Sequence, residues 1–125
     1  MEGKMITGVK HVSIAVQDYD RAIDFYTKKL GFKVLVDALC PQMGRWVELK
    51  IPNGETQLVL FTPEGQENQI GTFTNIVLTT MDVEKTHKEL SSKGVEFTVP
   101  PTTESWGTYC ILKDSEGNTF CLSSS

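Results

Sequence analysis

The sequence predicts an α+β fold of two tandem βαβββ modules, and three observations support this prediction. An alternation of apolar and polar residues, typical of a β-strand, precedes a helical pattern at 11–18 and again at 75–82. The two occurrences are separated by 82 − 18 = 64 residues, about half of the 125-residue chain. Each helical pattern is then followed by several β-rich runs instead of a second helix. An internal repeat therefore organises the chain.

Local signals define the elements of the first module. Asp18 is suited to cap the N-terminus of a helix, and Gly31 is suited to end that helix in the left-handed conformation. The Asn53-Gly54 pair is a strong turn signal for a hairpin. The predicted elements are a strand at 11–18, a helix at 19–30, and further strands at 32–37, 46–51 and 56–61.

The second module repeats this order. Asp82 and Gly94 take the two capping positions of its helix, and a turn at 114–118 joins its last two strands. The predicted elements are strands at 75–82, 95–99, 108–113 and 119–123 and a helix at 83–93. The chain is thus expected to be a single domain over 1–125, with module one at about 5–62, a linker at about 63–71 and module two at about 72–124.

The composition argues against several classes of function. Twelve Lys and Arg against 16 Asp and Glu give a net charge of 12 − 16 = −4, which disfavours a nucleic-acid partner. No run approaches the roughly 20 apolar residues of a membrane helix, and the N-terminus lacks the apolar region of a signal peptide. Three cysteines without a CxxC pair do not suggest a disulfide framework. A soluble cytoplasmic protein with reduced thiols is expected, without a membrane partner.

Three motifs carry a resemblance to a known family. They are the histidine strand KHVSIAV at 10–16, the FYxxxLGF pattern at 25–32, and the DSEGN turn at 114–118. In these motifs the chain resembles the vicinal oxygen chelate (VOC) superfamily, which includes glyoxalase I, bleomycin-resistance proteins, fosfomycin-resistance enzymes and extradiol dioxygenases. The resemblance covers nearly the whole chain and implies two βαβββ modules whose mixed sheet curls around a cleft, commonly in a homodimer. It implies less about the reaction, because one fold hosts many functions.

The resemblance also implies four candidate metal positions. Members of this superfamily that use a metal bind a divalent ion through His, Gln or Glu side chains from the first and last strands of each module. The matching positions here are His11, Gln57, Asn75 and Cys121, and both pairs keep the same offset, since 75 − 11 = 64 and 121 − 57 = 64. One imidazole, two amides and one thiol lack the carboxylate that a site for Ni²⁺, Zn²⁺, Mn²⁺ or Fe²⁺ would use for proton transfer. The alternative is a strand histidine and polar strand residues that hold no metal.

A pocket for an organic ligand is predicted beside these positions. Alternation along 46–50 places Trp46 and Glu48 on one face, and aromatic and charged side chains there would hold a planar or cationic molecule. The loop at 102–108 would cap one end, with Gly107 as a hinge. Alternatively, the tryptophans are core or interface residues. The predicted pocket residues are Arg45, Trp46, Glu48, Gln57, Val59, Phe61, Trp106 and Tyr109.

The last hairpin is expected to bring two cysteines together. If Lys113 pairs with Asn118, the register sum is 231, and Cys110 lies directly opposite Cys121 because 110 + 121 = 231. Two buried, small apolar residues are one interpretation of this pair. A redox site or a site for a soft metal is the other.

These residues favour one function and leave two alternatives. The first interpretation is a glyoxalase-like or bleomycin-resistance-like protein that binds a small organic molecule in the cleft without a strong catalytic metal site. The second is a divalent-metal-dependent lyase or dioxygenase of the VOC superfamily, in which His11 would anchor the metal. The third is a non-catalytic subunit or regulator that acts through the dimer surface. Only the second of these requires a cofactor.

Overall fold

The computed structural model describes residues 5–124 and contains two four-stranded sheets, one in each module. The first module contains β1 (His11–Ile14), α1 (Tyr19–Asp24), β2 (Lys33–Cys40), β3 (Gly44–Lys50) and β4 (Gln57–Leu60). A 3₁₀ turn at Glu67–Gln69 lies in the linker. The second module contains β5 (Phe73–Thr80), α2 (Val83–Ser92), β6 (Glu96–Glu104), β7 (Gly107–Lys113) and β8 (Thr119–Ser124). The predicted α+β fold of two βαβββ modules is confirmed.

Both sheets are mixed, and their strands follow the same order. In the first sheet the order is β1-β4-β3-β2, and in the second it is β5-β8-β7-β6. The first strand of each module runs parallel to the last, whereas the other neighbours are antiparallel. The two long hairpin strands β2 and β6 therefore lie at outer edges of their sheets.

The helices begin at the predicted caps, but the first helix changes its geometry midway. The Asp18 carboxylate accepts a hydrogen bond from the backbone N–H of Arg21, and the Asp82 carboxylate accepts one from Lys85, both at 3.0 Å. After α1 the chain continues as a π-helical segment over Phe25–Lys29. Among residues 5–124, no helix is long and apolar enough to cross a membrane.

The π-helical segment delivers two consecutive aromatic residues to the interior. Phe25 is 6% exposed and Tyr26 is fully buried. The Tyr26 ring packs against Phe32 of its own module and Phe120 of β8, at centroid separations of 6.0 and 6.2 Å. Side chains from both modules therefore form one hydrophobic core.

The β7–β8 turn, residues 114–118, joins the modules by hydrogen bonds. The Tyr26 hydroxyl donates to the Asp114 carboxylate at 2.6 Å, and the Asn118 side-chain amide donates to the Ala15 carbonyl at 2.9 Å. Asp114 and Asn118 are both buried, so these bonds replace the hydrogen bonds to water that folding removes.

A second group of bonds extends from the same turn to the start of α1. The Glu116 carboxylate accepts hydrogen bonds from the backbone N–H groups of Gln17 at 2.8 Å and Asp18 at 3.1 Å. The backbone N–H of Gly71 in the linker donates to the Asn118 side-chain oxygen at 2.7 Å. The turn of module two thus satisfies backbone groups of module one and of the linker.

Candidate functional site

The face of the first sheet opposite the core carries most of the predicted pocket. Leu49 of β3 and Leu58 of β4 are fully buried in the core. The residues on either side of them point to the opposite face, because successive side chains of a strand alternate. We call this second surface the aromatic face, formed by His11, Trp46, Glu48, Gln57, Val59 and Phe61.

Trp46 is at the centre of the aromatic face. Its ring meets His11 edge to face at a centroid distance of 5.4 Å, and it meets Phe61 at 5.2 Å. The indole N–H donates to the Glu48 carboxylate at 2.8 Å, which fixes the orientation of the ring. Val59 is fully buried on this side of the sheet. The result is an apolar, pre-oriented surface with one carboxylate at the Trp46 ring.

Arg45, which the sequence placed among the pocket residues, lies apart from the aromatic face. Arg45 lies on the same side of β3 as Val47, which faces the core. Its guanidinium pairs with Asp37 at 2.8 Å and with Asp20 of α1 at 2.9 Å, and it lies 5.7 Å from the centroid of the Tyr19 ring. The hydrogen bond from Arg45 lowers the pKa of the Asp37 carboxyl. Arg45 therefore links α1 to the first sheet.

Trp106 and Tyr109 belong to the second sheet. Their rings stack at a centroid distance of 5.5 Å and an interplanar angle of 26°. Trp106 sits in the β6–β7 hairpin and is 62% exposed, and Gly107 beside it has a φ of 144°. The structure therefore divides the predicted pocket, with one pair at Trp106 and Tyr109 and the aromatic face at Trp46, Glu48, Gln57, Val59 and Phe61.

Of the four predicted metal positions, two are strand neighbours and one is displaced. His11 and Gln57 are register partners in β1 and β4. The partner of Cys121 is Val77, and not Asn75 as the sequence offset predicts. The β5 register breaks just before Val77, and Asn75 has a left-handed φ of 63°. The offset between the strands is 77 − 11 = 66, because β5 advances four residues from Phe73 to Val77 while β8 advances only two, from Thr119 to Cys121.

These positions do not fit a catalytic divalent cation. Val77 offers no donor atom where Asn75 was expected, which leaves one imidazole, one amide and one thiol. Burial raises the pKa of the Cys121 thiol and so opposes the thiolate that binds metals. Within residues 5–124, no group of three or more His, Cys, Asp or Glu side chains could hold a metal ion.

The expected face-to-face cysteine pair is also wrong. Asp114 pairs with Asn118 across the turn, so the register sum is 232 rather than 231. Cys110 is therefore opposite Leu122 and is fully buried in the core. Cys121 is opposite Ile111, on the other face of the sheet. All three cysteines are free thiols, including the half-buried Cys40.

A cavity that the sequence did not predict lies where β1, β5 and the linker meet. Its volume is about 210 Å³. We call it the linker cavity, and Phe61 belongs both to its wall and to the aromatic face. Its polar side chains include Ser13, Gln66, Gln69 and Asn75. The two glutamines are the sequence signal for this cavity, but in a polar linker they indicate only a surface loop.

A larger cavity, of about 450 Å³, lies between the π-helical segment, the start of β6 and the β7–β8 turn. Its wall carries charges of both signs. Lys28 pairs with Asp24 at 3.5 Å, and Lys113 pairs with Glu96 at 3.6 Å. Arg21 and Lys29 also line this cavity, which shares none of its described lining residues with the aromatic face.

The fold and the aromatic face define a class of protein, in which paired βαβββ modules present an open sheet surface. Residues 8–122 match the model of the Glyoxalase/Bleomycin resistance protein/Dioxygenase superfamily. The chain belongs to this superfamily, and the resemblance carried by its sequence motifs is confirmed.

Similar proteins span almost the same length. The chain is 30% identical over 118 residues to the uncharacterized protein YetH of Bacillus subtilis (strain 168), an alignment that covers 94% of this chain and 98% of YetH. It is 31% identical to a superfamily member from Sphaerobacter thermophilus DSM 20745, with a TM-score of 0.83 and coverage of 97% and 99%. It is 28% identical to TnmS3, an antibiotic binding protein from Streptomyces sp. CB03234, with a TM-score of 0.86 and coverage of 96% and 97%.

Proposed function

We propose that the protein binds a small organic molecule through a planar aromatic part that lies on the aromatic face. The observation that carries this proposal is the fixed orientation of Trp46, whose ring is in contact with His11 and Phe61 and bonded to Glu48. A ring that is already oriented loses little conformational freedom when a flat ligand stacks on it. The likeness to TnmS3, an antibiotic binding protein, supports a binding role on the same fold.

The proposed binding does not use a metal. The His11 imidazole and the Gln57 amide are too few ligands for the divalent ion of a lyase or dioxygenase of this superfamily, and the nearby Glu48 carboxylate accepts a hydrogen bond from the Trp46 indole. In this proposal His11 acts as an aromatic wall, through its edge-to-face contact with Trp46. The donor chemistry therefore favours binding over the metal-dependent alternative.

We further propose that the protein works as a homodimer in the cytoplasm. Exposed apolar side chains on the edge strand β2 support the dimer, because a second copy would cover them. Three free thiols are typical of a reducing compartment.

The two tryptophans allow a direct test of the binding site. In Trp106→Phe the only indole is Trp46, and in Trp46→Phe the only indole is Trp106. Titration with 4-methylumbelliferone should quench the emission of Trp46 in the first variant, saturably and to the same extent after dialysis against EDTA. Emission from Trp106 in the second variant should change little. A probe that quenches Trp106 alone, or neither indole, contradicts the proposed site.

Elemental analysis tests the metal-free part of the proposal. Protein purified without a chelator should contain far less than one Ni²⁺, Zn²⁺, Mn²⁺ or Fe²⁺ per chain, and His11→Ala should leave that content unchanged. Near-stoichiometric metal that disappears in His11→Ala would overturn metal-free binding in favour of the metal-dependent enzyme.

A further inference from the structure

The linker cavity has hydrogen-bonding capacity that the protein does not use. Within residues 5–124, the side chains of Ser13, Gln66, Gln69 and Asn75 make no hydrogen bond to protein. A serine hydroxyl and three carboxamides together offer several donors and several acceptors. These unpaired groups are concentrated in one small space that opens beside the aromatic face.

None of the described residues that line this cavity is charged. The rest of its wall includes the rings of Phe61 and Phe73 and three polar residues whose side chains already make hydrogen bonds within the protein, Thr72, Thr74 and Asn118. An ionic group would find no opposite charge there, so leaving water would be costly for it. A neutral group with several hydroxyls or amides would exchange hydrogen bonds to water for bonds to these side chains. The wall chemistry thus selects an uncharged, multiply hydrogen-bonding group.

The size of the cavity suits a substituent and not a whole ligand. Its volume of about 210 Å³ is below the roughly 300 Å³ at which complete small-molecule pockets begin. A single sugar ring or a group of similar size would occupy it.

Phe61 joins this cavity to the proposed binding surface. Its ring contacts Trp46 at 5.2 Å on the aromatic face and also forms part of the cavity wall. A ligand whose flat part lies on Trp46 would therefore direct a substituent past Phe61 into the cavity. Asn75 reaches the cavity through a left-handed conformation within β5, an unusual backbone arrangement of a kind that clusters at functional sites.

We infer that the linker cavity, through Ser13, Gln66, Gln69 and Asn75, binds an uncharged polyhydroxylated substituent, such as a sugar ring, of the ligand whose aromatic part lies on Trp46. This inference rests on the proposed function. It identifies the ligand class as neutral aromatic glycosides and similar conjugates.

Three related probes test the inference on the full chain. They are 4-methylumbelliferone, its β-D-glucoside and its sulfate, each titrated by calorimetry. Two neutral hydrogen bonds in the cavity should make the glucoside bind about tenfold more tightly than the parent compound. The sulfate is charged and should bind no better than the parent compound.

Two variants assign the difference to the cavity. Asn75→Gly and Gln69→Ala should reduce the preference for the glucoside to less than about threefold, while affinity for 4-methylumbelliferone stays unchanged. Glycine accepts the left-handed backbone of Asn75, so the first change removes only the amide. The matched control is Asn53→Gly, a turn residue with a similar φ of 64° outside the cavity, which should keep the full preference.

The outcomes separate the inference from the proposed function. If 4-methylumbelliferone binds and the glucoside binds equally or more weakly, the cavity assignment is overturned and the aromatic face remains the binding site. If the glucoside preference survives in both Asn75→Gly and Gln69→Ala, the cavity is also wrongly assigned. If none of the three probes binds, the proposed function fails and the inference fails with it.

Discussion

Tyr26 holds its phenol group in the interior, where the two modules meet. Its hydroxyl donates a hydrogen bond to the Asp114 carboxylate at 2.6 Å, and the side chain is fully buried. Burial first, and then the nearby carboxylate of Asp114, raise the pKa of Tyr26 well above its ordinary value of 10.0. The folded state therefore keeps this proton at a pH at which the unfolded chain has lost it.

Tyr26→Phe should lower the free energy of unfolding by about 1–2 kcal/mol at neutral pH, because it removes a hydrogen bond to a carboxylate. A raised pKa contributes stability that is present below about pH 10 and is lost as pH rises further. Wild-type stability should thus fall above pH 10, and more steeply than that of Tyr26→Phe. Denaturant unfolding between pH 7 and 11 measures both effects. Equal slopes for wild type and Tyr26→Phe would contradict the assignment.

The cysteines should differ in reactivity. Burial raises the pKa of Cys110 to about 11, so only about one thiol in ten thousand is ionised at pH 7. Native protein treated with iodoacetamide should be labelled last at the fully buried Cys110, as read by peptide mass spectrometry. In guanidinium all three should react at similar rates. Equal labelling of Cys40 and Cys110 in the native protein would contradict the buried position of Cys110.

Side-chain direction was predictable where a strand pairs regularly. Trp46 and Glu48 share a face, as alternation predicts, and the same rule places Arg45 on the other face, where it pairs with Asp37. The side-chain position of Asn75 was not predictable from alternation. Its displacement depends on a register break in β5, which is a property of strand pairing and leaves no local signal in the sequence.

The β7–β8 turn makes hydrogen bonds to several segments that are distant in sequence. Its Glu116 carboxylate accepts two backbone N–H groups just before α1, where Asp18 already caps the helix. Backbone donors at a helix start have no partner within the helix, so an external acceptor stabilises them. The turn therefore stabilises the entry of a helix that is about a hundred residues away in sequence.

Glu116→Ala should lower the free energy of unfolding by about 1 kcal/mol, the usual cost of removing a helix cap. Glu116→Gln keeps one acceptor oxygen and should lose less. Thermal and urea unfolding at pH 7 would measure both variants beside the control Glu64→Ala, an exposed linker residue that should change little. A Glu116→Ala protein as stable as this control would show that the two bonds contribute nothing.

Caps and turns were predictable as elements, and the spacing between them was less so. Asp18 and Asp82 cap their helices as expected, because a short acceptor side chain before a helical pattern acts locally. The π-helical segment was not predicted, because it depends on the packing of Tyr26 against Phe120, a residue far away in sequence. The register of Cys110 was predicted wrongly by one residue, because the sequence does not determine which two residues pair across the last turn.

The edge strands β2 and β6 differ in how well they are protected from pairing with another chain. β6 contains Pro100 and Pro101, and proline cannot donate a backbone hydrogen bond to a new neighbouring strand. β2 has no proline and exposes Val34, Leu35, Val36 and Leu39. This difference makes β2 the better candidate for contact with a second copy of the chain.

The protein should therefore have a solution mass of about twice its chain mass of 13.9 kDa. Leu39 is 80% exposed, and Leu39→Lys should shift the protein towards the monomer by placing a charge in the apolar contact. Light scattering after size exclusion measures this shift. Ser91→Lys adds the same charge on exposed α2 and should leave the mass unchanged. A monomeric wild type, or a dimer indifferent to Leu39→Lys, would rule out β2 as the contact.

The architecture as a whole was predictable because its signals recur. Two helix caps 64 residues apart and two sets of β-rich runs give the βαβββ order without any tertiary information. The aromatic face followed in part from alternation along β3. The linker cavity did not, because Ser13, Gln66 and Asn75 come from three separate segments and meet only in the folded chain.

The β7–β8 turn also makes the two halves of the repeat non-interchangeable. The offset of 64 matches Asp114 with Lys50 and Asn118 with Gly54, since 114 − 64 = 50 and 118 − 64 = 54. In the first module the Lys50 side chain donates to the Gly54 carbonyl at 3.3 Å and so stays within its own hairpin. A chain assembled from two copies of the first module would preserve the strand order and lack the carboxylates of Asp114 and Glu116 and the side-chain amide of Asn118. The repeat is therefore retained in the order of the strands, whereas the turn side chains that hydrogen-bond across the modules, Asp114, Glu116 and Asn118, belong to module two.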